Sequence, residues 1–92
     1  MSRSDRDDIR LTLDGHLEAF GNLVERYQGP LLSYLAGQLR DKGRAEEVAQ
    51  EAFVRSFFAL KTLKKPDSFF SWLFGVARLV LKEQQRAEIR RM

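Results

Sequence analysis

The chain has 92 residues, no cysteine and a formal net charge of +3. That length suits one small domain with an economical core, the missing thiols exclude disulfides and thiolate metal sites, and no apolar run is long enough to span a bilayer. The charge is unevenly spread: residues 1–51 carry seven Lys/Arg against ten Asp/Glu, and residues 52–92 carry nine against three, a bipolarity that favours an anionic partner at one end only.

Residues 1–8 are polar and lack the apolar stretch of a signal peptide, so the chain up to residue 13 reads as a flexible lead-in. No run alternates apolar and polar residues long enough for a strand, so the expected class is all-α, a compact bundle of about four helices spanning 14–92. The first helix starts near Asp14 as its cap and shows a stripe of Leu17, Phe20, Leu23, Val24 and Tyr27. Gly29-Pro30 marks a break or kink, with Pro30 suited to the first turn of a second helix. That helix reaches Arg40 and buries Leu31, Leu32, Leu35, Ala36 and Leu39, and Asp41-Lys42-Gly43 forms a turn.

The third helix covers about 44–60. Its core face is Ala45, Val48, Ala49, Ala52, Phe53, Ser56, Phe57 and Leu60. The opposite face carries Glu47, Gln50, Glu51, Val54 and Phe58, where acids can orient a basic partner and the apolar groups add affinity. The competing reading is a solvated face with acids near a helix N-terminus. Residues 61–67 form a loop stopped by Pro66, with cations Lys61, Lys64 and Lys65.

The fourth helix begins near Asp67 or Ser68, either able to cap it, and buries Phe69, Trp72, Leu73, Val76, Ala77 and Val80. Beyond Leu81 it turns polar and is expected to project past the core. Arg78, Lys82, Arg86 and Arg90 recur at i, i+4, a step of about 6 Å along the axis that suits successive phosphates of one strand. The alternative is a solvated helix end whose cations complement the dipole. Phe69, Phe70, Trp72 and Phe74 cluster beside the lysine loop, an arrangement that suits unpaired bases. Four aromatics in six residues cannot all face one core, so Phe70 or Phe74 should reach the surface. A membrane-surface helix over 78–92 would need a wider apolar face.

Catalytic constellations are missing. His16 has no Ser or Cys partner and reads as a surface or capping residue, and no phosphate loop, zinc helix or calcium loop occurs. The residues therefore point to a binding domain, not an enzyme, with no cofactor.

Two stretches together resemble a known family. Ala45-Glu46-Glu47-Val48-Ala49-Gln50-Glu51-Ala52-Phe53-Val54-Arg55-Ser56-Phe57 and Phe69-Phe70-Ser71-Trp72-Leu73-Phe74-Gly75-Val76-Ala77-Arg78 are similar to the second conserved region of bacterial RNA polymerase sigma factors, above all those of the extracytoplasmic-function (ECF) subfamily. The segment 19–27 resembles that region's opening helix. The resemblance implies a sigma region 2-like fold, a cytoplasmic place of action, and a role in transcription initiation. It implies docking on the clamp helices of the polymerase beta-prime subunit through Glu47, Gln50 and Glu51, with Val54, Phe57 and Phe58 completing the surface. It also implies recognition and melting of the promoter minus-ten element, with capture of a flipped non-template base. Lys61, Leu63, Lys64, Lys65, Phe70, Trp72, Arg78, Leu79, Lys82, Arg86 and Arg90 fall on or beside that DNA-facing surface. An anti-sigma factor is a further partner implied by the family.

Several positions depart from the family pattern. Leu63 stands where many members have an aromatic, Leu79 where many have Asn, Glu47 where Asp is common, and Phe58 where a polar residue is usual. The helix-turn-helix domain that reads the minus-thirty-five element is not found in these 92 residues, so the expectation is an excised or truncated protein. The second reading is a sigma-like protein-interaction module that binds polymerase or an anti-sigma protein without productive DNA recognition.

Overall fold

The computed structural model describes residues 4–91. Four α-helices follow in order: α1 (Asp5–Leu13), α2 (Glu18–Leu39), α3 (Lys42–Ala59) and α4 (Phe69–Arg91). Two 3-10 turns, Leu60–Thr62 and Pro66–Ser68, connect α3 to α4. The expected class and helix count hold, but the first two expected helices are fused and a helix forms where a lead-in was expected.

Residues 5–13 form α1 because local and long-range terms agree there. Ser4 accepts a hydrogen bond from the Asp7 N–H, capping the helix, and Asp5, Asp7 and Asp8 sit in its positive first turn. Ile9 enters the core at 3% exposure. Asp14 ends α1 instead of starting the next helix, its N–H donating to the Arg10 carbonyl at 3.0 Å. Gly15 then turns the chain at φ +103°, a conformation glycine adopts without steric cost.

α2 runs through Gly29 and Pro30 without ending. Leu31 and Leu35, both fully buried, lie just beyond the proline, and their packing outweighs the lost N–H. Leu17 flanks α2 and is 58% exposed, outside the expected stripe, whereas Phe20 and Leu23 are buried. The turn expected at 41–43 is shorter: Asp41 is the N-cap of α3, its Oδ1 accepting from the Arg44 N–H at 3.2 Å. The cap expected from Asp67 or Ser68 is replaced by the 3-10 turn, where the Ser68 N–H donates to the Lys65 carbonyl.

The core joins all four helices. Ala45, Val48, Ala49, Ala52, Phe53 and Ser56 of α3 meet Phe69, Leu73, Ala77 and Val80 of α4, and Leu23, Leu31 and Leu35 of α2. Ser56 is tolerated there because its hydroxyl donates to the Ala52 carbonyl at 2.7 Å. Phe57 is half-buried, edge-on to Phe20 with ring centroids 5.3 Å apart.

Candidate functional site

α3 presents the acidic face. Glu47, Gln50, Glu51, Val54 and Phe58 are all exposed, with Phe58 73% accessible. Val48, Ala49, Ala52 and Phe53 anchor the opposite side of the helix, so its register fixes which residues point outward. Phe57 is the expected member of this surface that turns partly inward. Between α2 and α3 lies a groove of about 400 Å³, lined by Val24, Leu32, Ala49, Phe53 and Val54 and rimmed by Gln28, Glu46 and Gln50. A smaller hollow formed by Phe20, Phe53, Val54, Phe57 and Phe58 continues it. The surface therefore combines acids with an apolar trough, which suits a basic amphipathic partner.

The connection after α3 presents the lysines. Lys61, Lys64 and Lys65 are exposed. Leu63 is half-buried against the core, and its N–H donates to the Leu60 carbonyl at 3.0 Å. Trp72 is half-buried beside fully buried Phe69, their centroids 6.0 Å apart.

α4 presents the cations. Arg78, Lys82, Arg86 and Arg90 are exposed. The acids of the same helix turn toward α3: Glu83 meets Arg55 through two hydrogen bonds of 2.9 and 2.6 Å, and Glu88 meets Arg44 at 2.5 Å. No residue of α4 beyond Leu81 is buried, so its end runs past the core as expected, with Arg44 pairing Glu88 at the start of α3. Among the described residues Arg78, Lys82 and Arg90 form no ion pair, while Arg86 feels Glu83 electrostatically. Hydrogen bonding from Arg55 lowers the Glu83 pKa despite a small opposing desolvation, and hydrogen bonds to Glu83 and then Glu51 raise that of Arg55.

The cationic line of α4 is preceded by two aromatic rings. Phe70 and Phe74 precede Arg78 at the same four-residue step, so rings and cations form one line along α4. Tyr27 and Tyr34 of α2 flank it, with centroid distances of 4.9 Å for Tyr27–Phe70, 4.6 Å for Phe70–Phe74 and 5.2 Å for Phe74–Tyr34. Of the two rings expected to supply a surface aromatic, Phe70 is 38% exposed and Phe74 is half-buried. Phe70, Ser71, Phe74 and Arg78 line a hollow of about 250 Å³. Leu79 stands beside this line, 53% exposed.

The sequence reading missed a polar cluster joining α1 to α2. Asp8 is fully buried and accepts from Arg26 Nη2 at 2.9 Å and from Asn22 Nδ2 at 3.1 Å. Asp5 accepts from Arg26 Nη1 and from the Tyr27 hydroxyl. No short motif announces such a cluster, because its members are 14 to 22 residues apart.

Residues 23–91 match the model of Sigma-70 region 2, and the chain belongs to that family. It is 34% identical over 77 residues to the RNA polymerase sigma-H factor of Pseudomonas aeruginosa, covering 84% of this chain and 40% of that protein. The ECF RNA polymerase sigma-E factor of Escherichia coli K12 gives the same identity and coverage. A probable RNA polymerase sigma factor, RfaY, of Xanthomonas campestris is 32% identical over 73 residues, 79% of this chain and 18% of that protein. The domain is of the ECF type, and the matched stretch spans less than half the length of these relatives. No solved structure gives a significant match. No helix among the described residues is long and apolar enough to cross a membrane.

Proposed function

We propose that this domain binds core RNA polymerase through α3 and promoter DNA through the 61–67 connection and α4, acting in the bacterial cytoplasm. The observation that carries the reading is the segregation of charge. The acids of α4 are held by α3 arginines, which leaves Arg78, Lys82, Arg86 and Arg90 as an outward cationic line. The names of the relatives support RNA polymerase as a partner class.

In the finer form of the proposal, Glu47, Gln50 and Glu51 meet basic groups on the beta-prime clamp helices. Val54, Phe57 and Phe58 supply the apolar part of that contact. Docking sets the lysine connection and the Phe70–Phe74 rings over the minus-ten element. Lys61, Lys64 and Lys65 hold the backbone, and unstacked non-template bases meet Phe70 and Trp72. Extruding a base costs a few kcal/mol, which binding energy can offset without ATP or metal. Arg78, Lys82, Arg86 and Arg90 then track phosphates, with Leu79 at the edge of their line.

A second reading, a protein-interaction module for polymerase or an anti-sigma protein, is favoured by one observation: Leu63 has no ring to stack on a base and packs against the core. Pull-down with core polymerase, followed by titration with a single-stranded minus-ten non-template oligonucleotide over a salt series, separates the two. Seven phosphate contacts on a single strand, three from the lysines and four from the α4 cations, predict roughly 900-fold weaker binding between about 50 and 200 mM salt. Retained DNA binding after Arg78, Lys82 and Arg86 are changed to Glu would sink the DNA assignment. Unaltered polymerase binding after Gln50→Ala and Glu51→Arg would sink the docking assignment.

A further inference from the structure

We propose that the acidic face of α3 in one copy of the chain docks on the ring-and-cation line of α4 in a second copy, a weak head-to-tail self-association. The contact needs neither polymerase nor DNA and is independent of both assignments.

The two faces carry mirrored patterns. Phe58, Val54, Gln50 and Glu46 are exposed and run back along α3 at four-residue steps. Phe70, Phe74, Arg78 and Lys82 run forward along α4 at the same step. Each step rises about 6 Å on either helix. Laid antiparallel, Phe58 meets Phe70, Val54 meets Phe74, Gln50 meets Arg78 and Glu46 meets Lys82. Glu47 and Glu51 then stand beside the two cations. Rows of this spacing on two helices interdigitate in the commonest class of helix packing, at a crossing angle of about 50°. A parallel arrangement is disfavoured, because it sets the acids on the rings and the apolar groups on the cations. One step further on, Lys42 would meet Arg86, so like charge ends the match and fixes its register.

Both rows are free to engage. Among the described residues Glu46, Glu47, Arg78 and Lys82 form no ion pair. The acids of α4, Glu83 and Glu88, are already neutralised by Arg55 and Arg44 of the same copy and do not repel an acidic face. Beside the α3 row lie the groove of about 400 Å³ and the hollow at Phe57 and Phe58, which give room for the Phe70 and Phe74 rings. Phe58 at 73% exposure and Phe70 at 38% are apolar surface that the pairing takes from water.

The two patches lie on different sides of α2. Val24 and Leu32 line the α3 groove, whereas Tyr27 and Tyr34 flank the α4 rings. A copy that offers its α3 face to one neighbour therefore keeps its α4 line for another. Such a heterologous contact builds chains or rings and does not stop at a symmetric dimer. Exposed ion pairs contribute little each, so the association is weak and sensitive to salt. Where polymerase and DNA use these faces as proposed above, self-association withdraws both at high concentration; that consequence rests on the earlier reading, and the contact does not.

The test is sedimentation of the 92-residue chain from micromolar to millimolar concentration. The wild type is expected to sediment faster as concentration rises at low salt. The gain should vanish at about 1 M salt, where the Debye length is about 3 Å. Glu46→Lys with Glu47→Lys, and separately Arg78→Glu with Lys82→Glu, should each weaken association about tenfold. An equimolar mixture of the two charge-reversed chains should restore it, because each then meets the opposite charge, a rescue that two misfolded chains could not give. Phe58→Ala should also weaken association about tenfold, which diffuse attraction between charges does not predict.

A wild type that stays monomeric throughout overturns the proposal and leaves the α3 groove to a partner of another sequence. A charge-reversed chain that associates like wild type, a mixture that remains monomeric, or a Phe58→Ala chain with unaltered association overturns it as well.

Discussion

Arg55 on α3 grips Glu83 on α4 with both terminal guanidinium nitrogens, Nη1 to Oε2 at 2.9 Å and Nη2 to Oε1 at 2.6 Å. Its remaining nitrogen, Nε, donates to Glu51 at 3.0 Å, one turn back on the acidic face. One cation thus serves a residue of the proposed docking surface and an acid of the cationic helix. Because Glu83 has its own two bonds, removing Glu51 should leave α4 seated. Glu51→Ala is expected to weaken polymerase binding while leaving circular dichroism and the thermal midpoint within a degree or so of wild type.

The same pair sets an acid dependence. Glu83 titrates below its ordinary value of 4.5 because Arg55 hydrogen-bonds its carboxylate. The unfolded chain therefore binds more protons than the folded one in that range, and stability rises with pH there. The contribution is fully present above pH 4.5 and fades as pH falls through the depressed folded value. Glu83→Gln should flatten the acid limb of the stability curve, measured by urea unfolding at a series of pH values. An unchanged acid limb would show that solvent screens the pair.

Arg26→Ala should be far more costly at the α1–α2 junction. It leaves the Asp8 carboxylate fully buried with Asn22 as its remaining side-chain partner. Breaking a buried pair from one side costs about 3–5 kcal/mol. α1 has only nine residues, so it can escape the penalty by detaching alone. Hydrogen exchange should then show lost protection at Ile9 and Thr12 before α3 and α4 are affected. Uniform loss of protection across all four helices would contradict a local latch.

Tyr27 supplies an alkaline counterpart. Burial, then its hydrogen bond to Asp5, pushes its phenol up to about 12 from 10.0. The folded state keeps a proton that the unfolded state loses first. The contribution is complete below pH 10.0 and disappears as pH climbs to about 12. Tyr27→Phe should flatten stability over that window, and phenolate absorbance should report one tyrosine titrating late in the wild type. Titration of Tyr27 at the ordinary phenol value of 10.0 would remove the basis for this expectation.

The helix faces were legible wherever a strong period met a single core. Ala45, Val48, Ala49, Ala52 and Phe53 repeat at helical spacing and all are buried, as are Phe69, Leu73, Ala77 and Val80. The acidic face and the cationic line followed from the same registers, because whatever lies opposite a buried stripe faces outward. α1 had a legible start in Ser4 and the acids that follow it, but what seats nine residues on the core is Asp8 with Arg26 and Asn22, a long-range polar cluster that no periodicity encodes. The inward turn of Leu63 was hidden for a related reason: a residue between two 3-10 turns has no repeating register to read.

Gly29-Pro30 failed as a stop signal because tertiary packing outweighed local preference, and that leaves stability to be gained. Pro30 lies inside α2 and has no N–H to offer the Arg26 carbonyl. Both residues are exposed, and a Cβ at Gly29 would meet nothing within 4 Å. Gly29→Ala should add about 0.5–1 kcal/mol from helix propensity. Pro30→Ala should add about 2 kcal/mol, since restoring the backbone bond outweighs the freedom returned to the unfolded chain. Urea unfolding of the double variant should therefore show a gain of about 2–3 kcal/mol with an unchanged slope. A loss of stability instead would mean that Leu31 and Leu35 reach the core only because the proline bends the helix. Polymerase binding should then decline together with stability, because α2 and α3 share the groove beside Gln50 and Val54.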